Sequence, residues 1–598
     1  MRLWQNEDSS HEEATGNAVT LNQALALIKA RKDRGGEKKP HYLICGFEPL
    51  HLKTFLRAHF LERLPDSDVE ILNGVYGDLS GNLITAAQSP ALGAAMFLEW
   101  SDIDPRLGLR SSGGWAEDVK PDIIASVAQR LSHIENALTQ LAARMPVTVV
   151  PPCLPMIPMG NTVRAQASIA ELELEQQLAS FLLRISRVSG VRIAERSRLD
   201  KIPKDERLDV RTELMAGFPY TTGFADALAA AVTGVLYQPA PKKGLITDLD
   251  DTLWSGIVGE VGTEGVTWQQ ESHTQPHGLY QQMLGHLASC GVLLAVCSKN
   301  ELSNAEAALA RKDLFLKPES FFPVCANWEP KSKSVARILQ AWNIGQDSVV
   351  FIDDSSMELD EVRQSFPGIT CLEFPKKDPA KLWQLLGELR DLFGKPIVMD
   401  EDRLRQASIR ASATLQEMGD SAASPEFLGS LGGTVTLDWR INAADKRPLE
   451  LINKTNQFNL NGRRIGEGEY QRRLEDLNTV LAVVSYSDRF GPLGKVAVVL
   501  GTRAQNTVKV THWVMSCRAF SRRLEHHTLD ALFRETKAGE IEFALETTDK
   551  NKPLQEFFRV AGIAPDAGGI YRLTRNTFSN NFSKEDAALP HQVVDLTK

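Results

Sequence analysis

The sequence predicts a multidomain α/β protein, and three observations lead to that prediction. The chain has 598 residues, and because a domain holds roughly 100–200 residues we expect about three to five domains. Hydrophobic residues make up 43% of the chain and charged residues 24%, which is the mix of an ordinary globular protein. Up to about residue 396, short apolar runs alternate with helical patterns, as in parallel sheets covered by helices.

Composition and charge exclude several classes of protein. Lys and Arg total 67 against 76 Asp and Glu, a net charge of −9, which argues against nucleic acid as a partner. The seven cysteines include no Cys-x-x-Cys pair, so we expect free thiols in a cytoplasmic chain rather than a zinc site. No apolar run is long enough to span a membrane, and residues 1–13 lack the apolar core of a signal peptide.

The first predicted domain, residues 1–236, is an α/β unit. Helical patterns at 134–141 and 172–183 separate apolar runs that are typical of buried parallel strands. The predicted strands are residues 41–45, 69–72, 95–98 and 147–150.

The second predicted domain, residues 237–397, carries the sharpest chemical signal. An apolar strand at 244–247 leads into Asp248 and Asp250. Strand alternation puts both carboxylates on one side, at the sheet edge where open α/β folds bind ligands. The two would repel each other unless a cation or a proton lies between them, and Mg²⁺ suits a site made of oxygen ligands. Asp248 could then attack phosphorus while Asp250 protonates the leaving oxygen.

Three further fragments follow in a fixed order. One strand ends at Ser298, whose hydroxyl could bind a phosphoryl oxygen; Lys331 supplies a cation; and a last strand ends at Asp353 and Asp354, which suit the metal. Singly, such residues are more often turns, helix caps or solvated lysines. Together, with three of the four fragments at strand ends, they favour a phosphoryl-transfer site.

This set of motifs resembles the haloacid dehalogenase (HAD) superfamily and, more narrowly, its FkbH-like subgroup. The resemblance rests on residues 248–260, 298–300, 327–332 and 351–354. The segment between Leu253 and Val292 is too short for a large cap, so we expect a Rossmann-like HAD domain with little or no cap. The resemblance implies that the catalytic residues are Asp248, Asp250, Ser298 and Lys331. It implies that Mg²⁺ is surrounded by Asp248, Asp250 (through its carbonyl), Asp353 and Asp354. It implies that phosphate is bound by Ser298, Lys299, Asn300 and Lys331.

A polar helical connector is predicted at 398–431, followed by a final domain at 432–598 with a polar tail. From residue 438 onward the chain has 24 Lys and Arg against 20 Asp and Glu, a net +4 that indicates either an acidic partner or uneven surface charge. Strands are expected at 480–486, 495–500, 507–514 and 541–545. Their order with the helices is similar to that of GNAT acyltransferases, so an α+β GNAT-like domain is expected.

The GNAT-like region departs from its relatives at residues 518–525, where they carry a Gly-Arg-Gly turn. We therefore expect Arg518, Arg522 and Arg523 to contact the phosphate or the acidic helix of a carrier protein. Cys517 precedes this arginine cluster, and nearby cations can activate a thiol. Cys517 is thus the preferred acyl-carrying cysteine and Cys297 the alternative, whereas a plain buried thiol remains the ordinary explanation for either.

The N-terminal domain resembles the SGNH-hydrolase-like region that precedes the HAD domain in long FkbH-like proteins, notably at residues 99–106. An SGNH hydrolase needs a serine after its first strand, but residues 45–48 contain none. An Asp-x-x-His spacing occurs only at residues 8–11, before that strand. This domain is therefore predicted to be a non-catalytic, flavodoxin-like unit.

The resemblance as a whole implies an enzyme that loads a glyceryl unit from 1,3-bisphosphoglycerate onto an acyl carrier protein in polyketide-type biosynthesis. It implies Mg²⁺, HAD-type dephosphorylation and a cysteine thioester. Two alternatives stay open: a plain Mg²⁺-dependent HAD phosphatase acting on a small metabolite, and a non-catalytic carrier-protein scaffold.

Overall fold

The protein is described by a computed structural model, and its described residues form two compact units. Unit 1 runs to Pro239 and adds the distant segment Gly466–Arg473, and unit 2 comprises Ala240–Ile465 and Leu474–Lys598. The structure describes residues 19–32, 37–64, 67–111, 116, 118–157, 162–395, 398–406, 408–410, 425–520, 522–566, 569–582 and 591–597.

Unit 1 is built on a five-stranded parallel sheet in the order β2-β1-β3-β4-β5. This is the flavodoxin-like order, with a topological switch between β1 and β3. Its strands are β1 Glu37–Ile44, β2 Ser67–Asn73, β3 Ala94–Phe97, β4 Val147–Val150 and β5 Val191–Ile193. Its helices are α1 Leu21–Lys32, α2 Leu50–Arg63, α3 Leu79–Gln88, α4 Trp100–Ile103, α5 Lys120–Ala142, α6 Ile169–Ile185, α7 Arg196–Leu199, α8 Val210–Ala216 and α9 Thr222–Leu236.

The first part of unit 2 is a second parallel sheet, in the order β10-β9-β6-β7-β8. Its strands are β6 Gly244–Thr247, β7 Leu293–Ser298, β8 Phe321–Ala326, β9 Val349–Asp353 and β10 Thr370–Glu373. Its helices are α10 Val258–Val261, α11 Gln275–Ser289, α12 Leu302–Leu309, α13 Lys331–Trp342, α14 Ser356–Ser365 and α15 Pro379–Phe393. The segment between β6 and α11 contains the four-residue α10 and no cap domain.

The last part of unit 2 is an eight-stranded mixed sheet, ordered β17-β16-β15-β14-β13-β11-β18, with β12 paired to β15. Part of the expected polar tail belongs to this sheet, because β18 pairs in parallel with β11. The strands are β11 Thr434–Asp438, β12 Phe458–Asn459, β13 Thr479–Asp488, β14 Gly491–Ala504, β15 Thr507–Met515, β16 Glu540–Phe543, β17 Tyr571–Thr574 and β18 Gln592–Leu596. The helices of the connector and this part are α16 Asp400–Arg403, α17 Pro425–Ser430, α18 Arg447–Lys454, α20 Leu524–Thr536, α21 Lys552–Val560 and α22 Arg575–Phe582. Helix α19, Glu467–Glu475, follows α18 in the chain but lies mostly in the segment that belongs to unit 1.

The burial of the strands explains why they could be recognised in the sequence. Strands β3, β4, β6, β7 and β9 are buried along their whole length, as expected of parallel strands with helices on both faces. The predicted α/β multidomain architecture is confirmed. Of the predicted connector, residue 407 and residues 411–424 lie outside the described part, as do Asp8 and His11. Among the described helices, none combines the length and apolar character that crossing a membrane requires.

Candidate phosphoryl-transfer site

Three carboxylates meet at the carboxyl edge of the second parallel sheet. Strands β6 and β9 are neighbours; Asp248 follows the first, and Asp353 and Asp354 end and follow the second. One carboxylate oxygen from each of these three residues lies within 4.8 Å of the others. Asp248 and Asp353 are buried, whereas Asp354 is half-buried. Burial, together with the nearby Asp248, raises the pKa of Asp353 to about 7, so this edge favours a bound cation.

Lys331 is the buried counter-charge of the site. It begins helix α13, and its Nζ lies 2.9 Å from Asp248 Oδ1 and 2.5 Å from Asp353 Oδ2. Although burial disfavours its charge, Asp248, Asp353 and Glu358 together raise the pKa of Lys331 well above its ordinary value. The ammonium is therefore permanently charged and can neutralise negative charge that develops at Asp248.

Glu358, on α14, is a site residue that the sequence analysis missed. Its carboxylate pairs with Lys331 through one oxygen and with Lys299 through the other, which lies 2.9 Å from Lys299 Nζ. Lys299, expected beside phosphate, is thus held by Glu358 at the rim of the site. In sequence, a glutamate in the first turn of a helix looks the same whether its side chain faces solvent or a site, so no pattern identifies Glu358.

Asp250 is held in place by three hydrogen bonds, two of them donated by side chains. Trp254 Nε1 and the backbone N–H of Val258 donate to its Oδ1 at 2.9 and 3.1 Å. Asn300 Nδ2 donates to its Oδ2 at 2.9 Å and to Ser298 Oγ at 3.2 Å. Asn300 therefore couples the expected acid/base to the expected phosphate-binding hydroxyl, a positioning role that its motif alone does not reveal.

A second lysine, Lys376, lies at the open side of the carboxylate cluster. Its Nζ is 2.5 Å from Asp354 Oδ2 and 3.2 Å from Asp251 Oδ2. Asp251 also accepts the backbone N–H of Gly256 at 2.9 Å, so it stabilises the turn after β6, as expected. Lys376 lies in the loop after β10 and belongs to none of the sequence motifs, so the sequence analysis did not identify it.

The donor set fits Mg²⁺, because all three clustered side chains offer carboxylate oxygens, the ligands that this hard cation prefers. The carboxylate of Asp250 lies outside the cluster. A contribution from Asp250 through its backbone carbonyl stays a prediction.

Of the two candidate acyl-carrying cysteines, only Cys517 is accessible. It is half-buried and begins the short 3₁₀ helix Cys517–Ala519 after β15. Cys297 lies in the core, where burial raises its pKa well above the ordinary thiol value, which disfavours the reactive thiolate. His527, on α20 ten residues after Cys517, is buried, and burial lowers its pKa to about 4; it is therefore neutral near pH 7 and adds no positive charge there.

Two of the three arginines assigned to a docking surface are inside the protein. Arg518 is 5% exposed and Arg522 is 3% exposed. Arg522 pairs with Asp488 at 3.3 Å and donates to the carbonyl of Arg518 at 2.8 Å. Both guanidinium groups serve internal contacts, which disfavours an exposed docking surface formed by Arg518 and Arg522; a contact of either residue with a carrier protein stays a prediction. Arg523 is half-buried at φ +55, a conformation that favours glycine.

In unit 1, the segment after β1 packs against two acids, Glu99 and Asp102. A Cβ at Gly46, after β1, would lie 2.0 Å from Asp102 Oδ1, so no side chain fits there without displacement. Glu99, whose backbone N–H donates to Asp102, is buried, and its carboxylate accepts a hydrogen bond from the hydroxyl of Tyr220 at 2.8 Å. Burial raises the pKa of Glu99 to about 8 and that of Asp102 to about 7. These acids occupy the switch point between β1 and β3 with internal partners.

Comparisons with known proteins give only distant likenesses. No protein-family model matches the chain, and the curated proteins contain no match. A solved structure of the N-terminal part of the protein BF1531 from Bacteroides fragilis, containing a phosphatase domain complexed with Mg, has a TM-score of 0.49 and 21% identity, covering 63% of this chain and 99% of that one. A putative acetyltransferase has a TM-score of 0.18 and 11% identity, covering 26% and 92%. These values assign no family, so the functional argument rests on the site's geometry.

Proposed function

We propose that the second parallel sheet carries a Mg²⁺-dependent phosphoryl-transfer site of the HAD type. The observation that supports it is the convergence of Asp248, Asp353 and Asp354 within 4.8 Å beside buried Lys331. Bound Mg²⁺ would be held by these three carboxylates and would polarise the phosphoryl oxygens.

The residues of the chain have separate roles in the proposed reaction. The Asp248 carboxylate attacks phosphorus, and the bond from phosphorus to the leaving oxygen breaks. Asp250, oriented by Asn300, gives a proton to that leaving oxygen and then takes one from water. The water oxygen attacks the phosphoaspartate, which releases inorganic phosphate and restores Asp248. Lys331 stabilises the negative charge throughout.

The finer proposal is that this site works with Cys517 to load a glyceryl unit from 1,3-bisphosphoglycerate onto an acyl carrier protein. The Cys517 sulfur attacks the acyl carbon, the acyl C–O bond breaks, the thiol proton is lost to solvent, and inorganic phosphate leaves. The HAD site removes the remaining phosphate. The thiol of the carrier's phosphopantetheine arm then attacks the thioester and returns Cys517 to the thiol. The accessibility of Cys517 and the burial of Cys297 support this assignment.

The phosphoryl site is tested by replacing Asp248 with Asn, which keeps the shape and removes the nucleophile. We expect phosphate release to fall by at least about a thousandfold, corresponding to about 4 kcal/mol of barrier, and the parent enzyme to require Mg²⁺. Asp360→Asn, on the exposed face of α14, is the matched control and should keep the parent rate. Parent-like release by a folded Asp248→Asn protein, free of deamidation, would refute the site.

The thioester is tested by incubating the protein with 1,3-bisphosphoglycerate and Mg²⁺, digesting it and locating the added mass. We expect the label on Cys517. Cys517→Ala should lose carrier loading and keep HAD phosphate release, whereas Cys290→Ala, at another half-buried thiol, should keep both. Full carrier loading by Cys517→Ala would contradict the acyl role and favour a plain phosphatase or a direct transfer.

A further inference from the structure

A network of cationic side chains from separate parts of unit 2 reaches Cys517 through Lys243 and Arg518, whose charges interact with that of its thiol. Its members come from the residue before β6, the segment after α15, the connector, helix α18 and the turn after β15. The six cations are Lys243, Lys395, Arg405, Arg447, Lys454 and Arg518.

Two carboxylates, each shared by two cations, neutralise part of this charge. Asp402 and Glu450 are the shared groups, so two negative charges serve four positive ones. The pairs are Lys395 Nζ and Asp402 Oδ1 at 2.6 Å, Arg405 and Asp402 Oδ1 at 2.5 Å, Arg447 and Glu450 Oε2 at 2.7 Å, and Lys454 Nζ and Glu450 Oε1 at 2.6 Å.

The other two cations, Lys243 and Arg518, form no ion pair with any carboxylate in the described part of the chain. Lys243 Nζ donates to the backbone carbonyl of Lys454 at 3.0 Å. Arg518 donates, at 3.4 Å each, to the carbonyl of Glu401 and the hydroxyl of Ser408. A buried or half-buried cation with only neutral partners is costly, so buried Arg518 and half-buried Lys243 favour an anion that the protein itself does not supply.

The charges of Lys243 and Arg518 interact with that of the thiol. Burial, together with Arg405 and Arg447, lowers the pKa of Arg518 to about 9. Burial also lowers the pKa of Lys243 to about 8, while a negative charge on Cys517 would raise the pKa of both groups. Any other anion bound next to Cys517 would likewise raise the pKa of Lys243 and Arg518, and its binding would stabilise their charged forms.

The members of the cluster differ in their exposure. Cys517, Lys243 and Lys454 are half-buried, whereas Arg447 and Arg518 are buried. Within the described residues, the Nε of Arg447 has no hydrogen-bond partner. A guanidinium with a free donor, a second guanidinium and two ammonium groups form a set that suits a phosphate group.

We propose that the cationic cluster around Cys517 is a binding site for a phosphate group. In the proposed acyl transfer, which this inference deepens, the phosphate belongs either to the phosphoglyceryl chain delivered to Cys517 or to the phosphopantetheine arm that collects it. Either source would hold the acyl carbon close to the thiol, so the site is a positioning device for the thioester step.

The test measures how fast neutral iodoacetamide alkylates Cys517 in the full-length protein, with Cys290 as an internal reference thiol. Saturating inorganic phosphate should slow alkylation of Cys517 by about tenfold, and should leave Cys290 within about twofold of its rate without phosphate. Two further arms, 3-phosphoglycerate and phosphopantetheine, identify the source of the phosphate by which one protects more strongly. Glycerate, and potassium chloride at equal ionic strength, should protect little.

Variants complete the experiment, each compared with and without phosphate. Lys243→Gln and Lys454→Gln should lose most of the protection, whereas Lys312→Gln, at an exposed lysine elsewhere in unit 2, should keep it. The inference is overturned if phosphate fails to protect Cys517, if glycerate or chloride protects equally, or if Lys243→Gln stays fully protected. Alkylation needs no turnover, so these results are independent of whether a thioester forms.

Discussion

Because Glu99 is a buried acid, we expect unit 1 to lose stability as pH rises above neutrality. Burial raises the pKa of Glu99 from 4.5 to about 8. Between these values the folded protein keeps a proton that the unfolded chain has released, so the free energy of unfolding falls as pH rises. The slope is about 1.4 kcal/mol per pH unit for one group, and it flattens near the folded pKa.

The pH window can be chosen so that Glu99 dominates. Asp102, with a pKa of about 7, acts in the same direction, but most of its effect is complete by neutrality. His41, whose pKa burial lowers to about 4, acts in the opposite direction and contributes little above pH 6.5. From pH 6.5 to 8.0, Glu99 should therefore remove about 1.7 kcal/mol of stability.

Native-state hydrogen exchange on peptides that cover β3 measures this loss in the full-length protein. The opening free energy, corrected for intrinsic exchange, should fall by about 2 kcal/mol from pH 6.5 to 8.0 in the parent protein. In Glu99→Gln the fall should be smaller by about 1.7 kcal/mol, whatever the variant's absolute stability. The exposed Glu173→Gln is the matched control. Equal pH dependence in the parent and Glu99→Gln would refute the reasoning.

Two further predictions concern the phosphoryl site. Asn300→Ala should lower kcat for phosphate release by about 10- to 100-fold, because Asp250 loses the donor that orients it, while exposed Asn304→Ala should match the parent in steady-state kinetics. Glu358→Gln should strengthen inhibition by inorganic phosphate by about threefold or more, because one negative charge beside Lys331 is removed; an unchanged inhibition constant would contradict the shared-carboxylate geometry.

Much of the fold could be predicted from the sequence, because its central strands are buried on both faces. The runs at 244–247 and 147–150 each contain a single polar residue, a threonine, and the structure contains buried strands there. Strand β8 was missed because its middle is only partly buried and Pro323 interrupts it. Strand β18 at the sheet edge was missed because its sequence, Gln-Val-Val-Asp-Leu, is short and mixed.

Site residues could be predicted where they directly follow an apolar strand in the sequence. They could not be predicted where segments distant in the sequence come together. Asp248 and Asp354 follow apolar strands, so local pattern was sufficient. Lys376 reaches the site from a loop after β10, and no local pattern identifies it. Arg522 was read as exposed because charged residues usually are. Its partner, Asp488, is the last residue of β13. Only the tertiary structure brings these two residues together.

The discontinuity of unit 1 has a consequence for how the protein is synthesised. Its segment Gly466–Arg473 belongs with residues before Pro239, and Glu467 in that segment pairs with Arg192 at 2.7 Å. A ribosome adds about 5–20 residues per second, so the segment emerges roughly 10–45 seconds after the rest of unit 1. During that interval the nascent unit lacks this partner. A chaperone that binds the waiting surface, or a slow stretch of codons after Pro239, would therefore change the yield of folded protein without altering any residue.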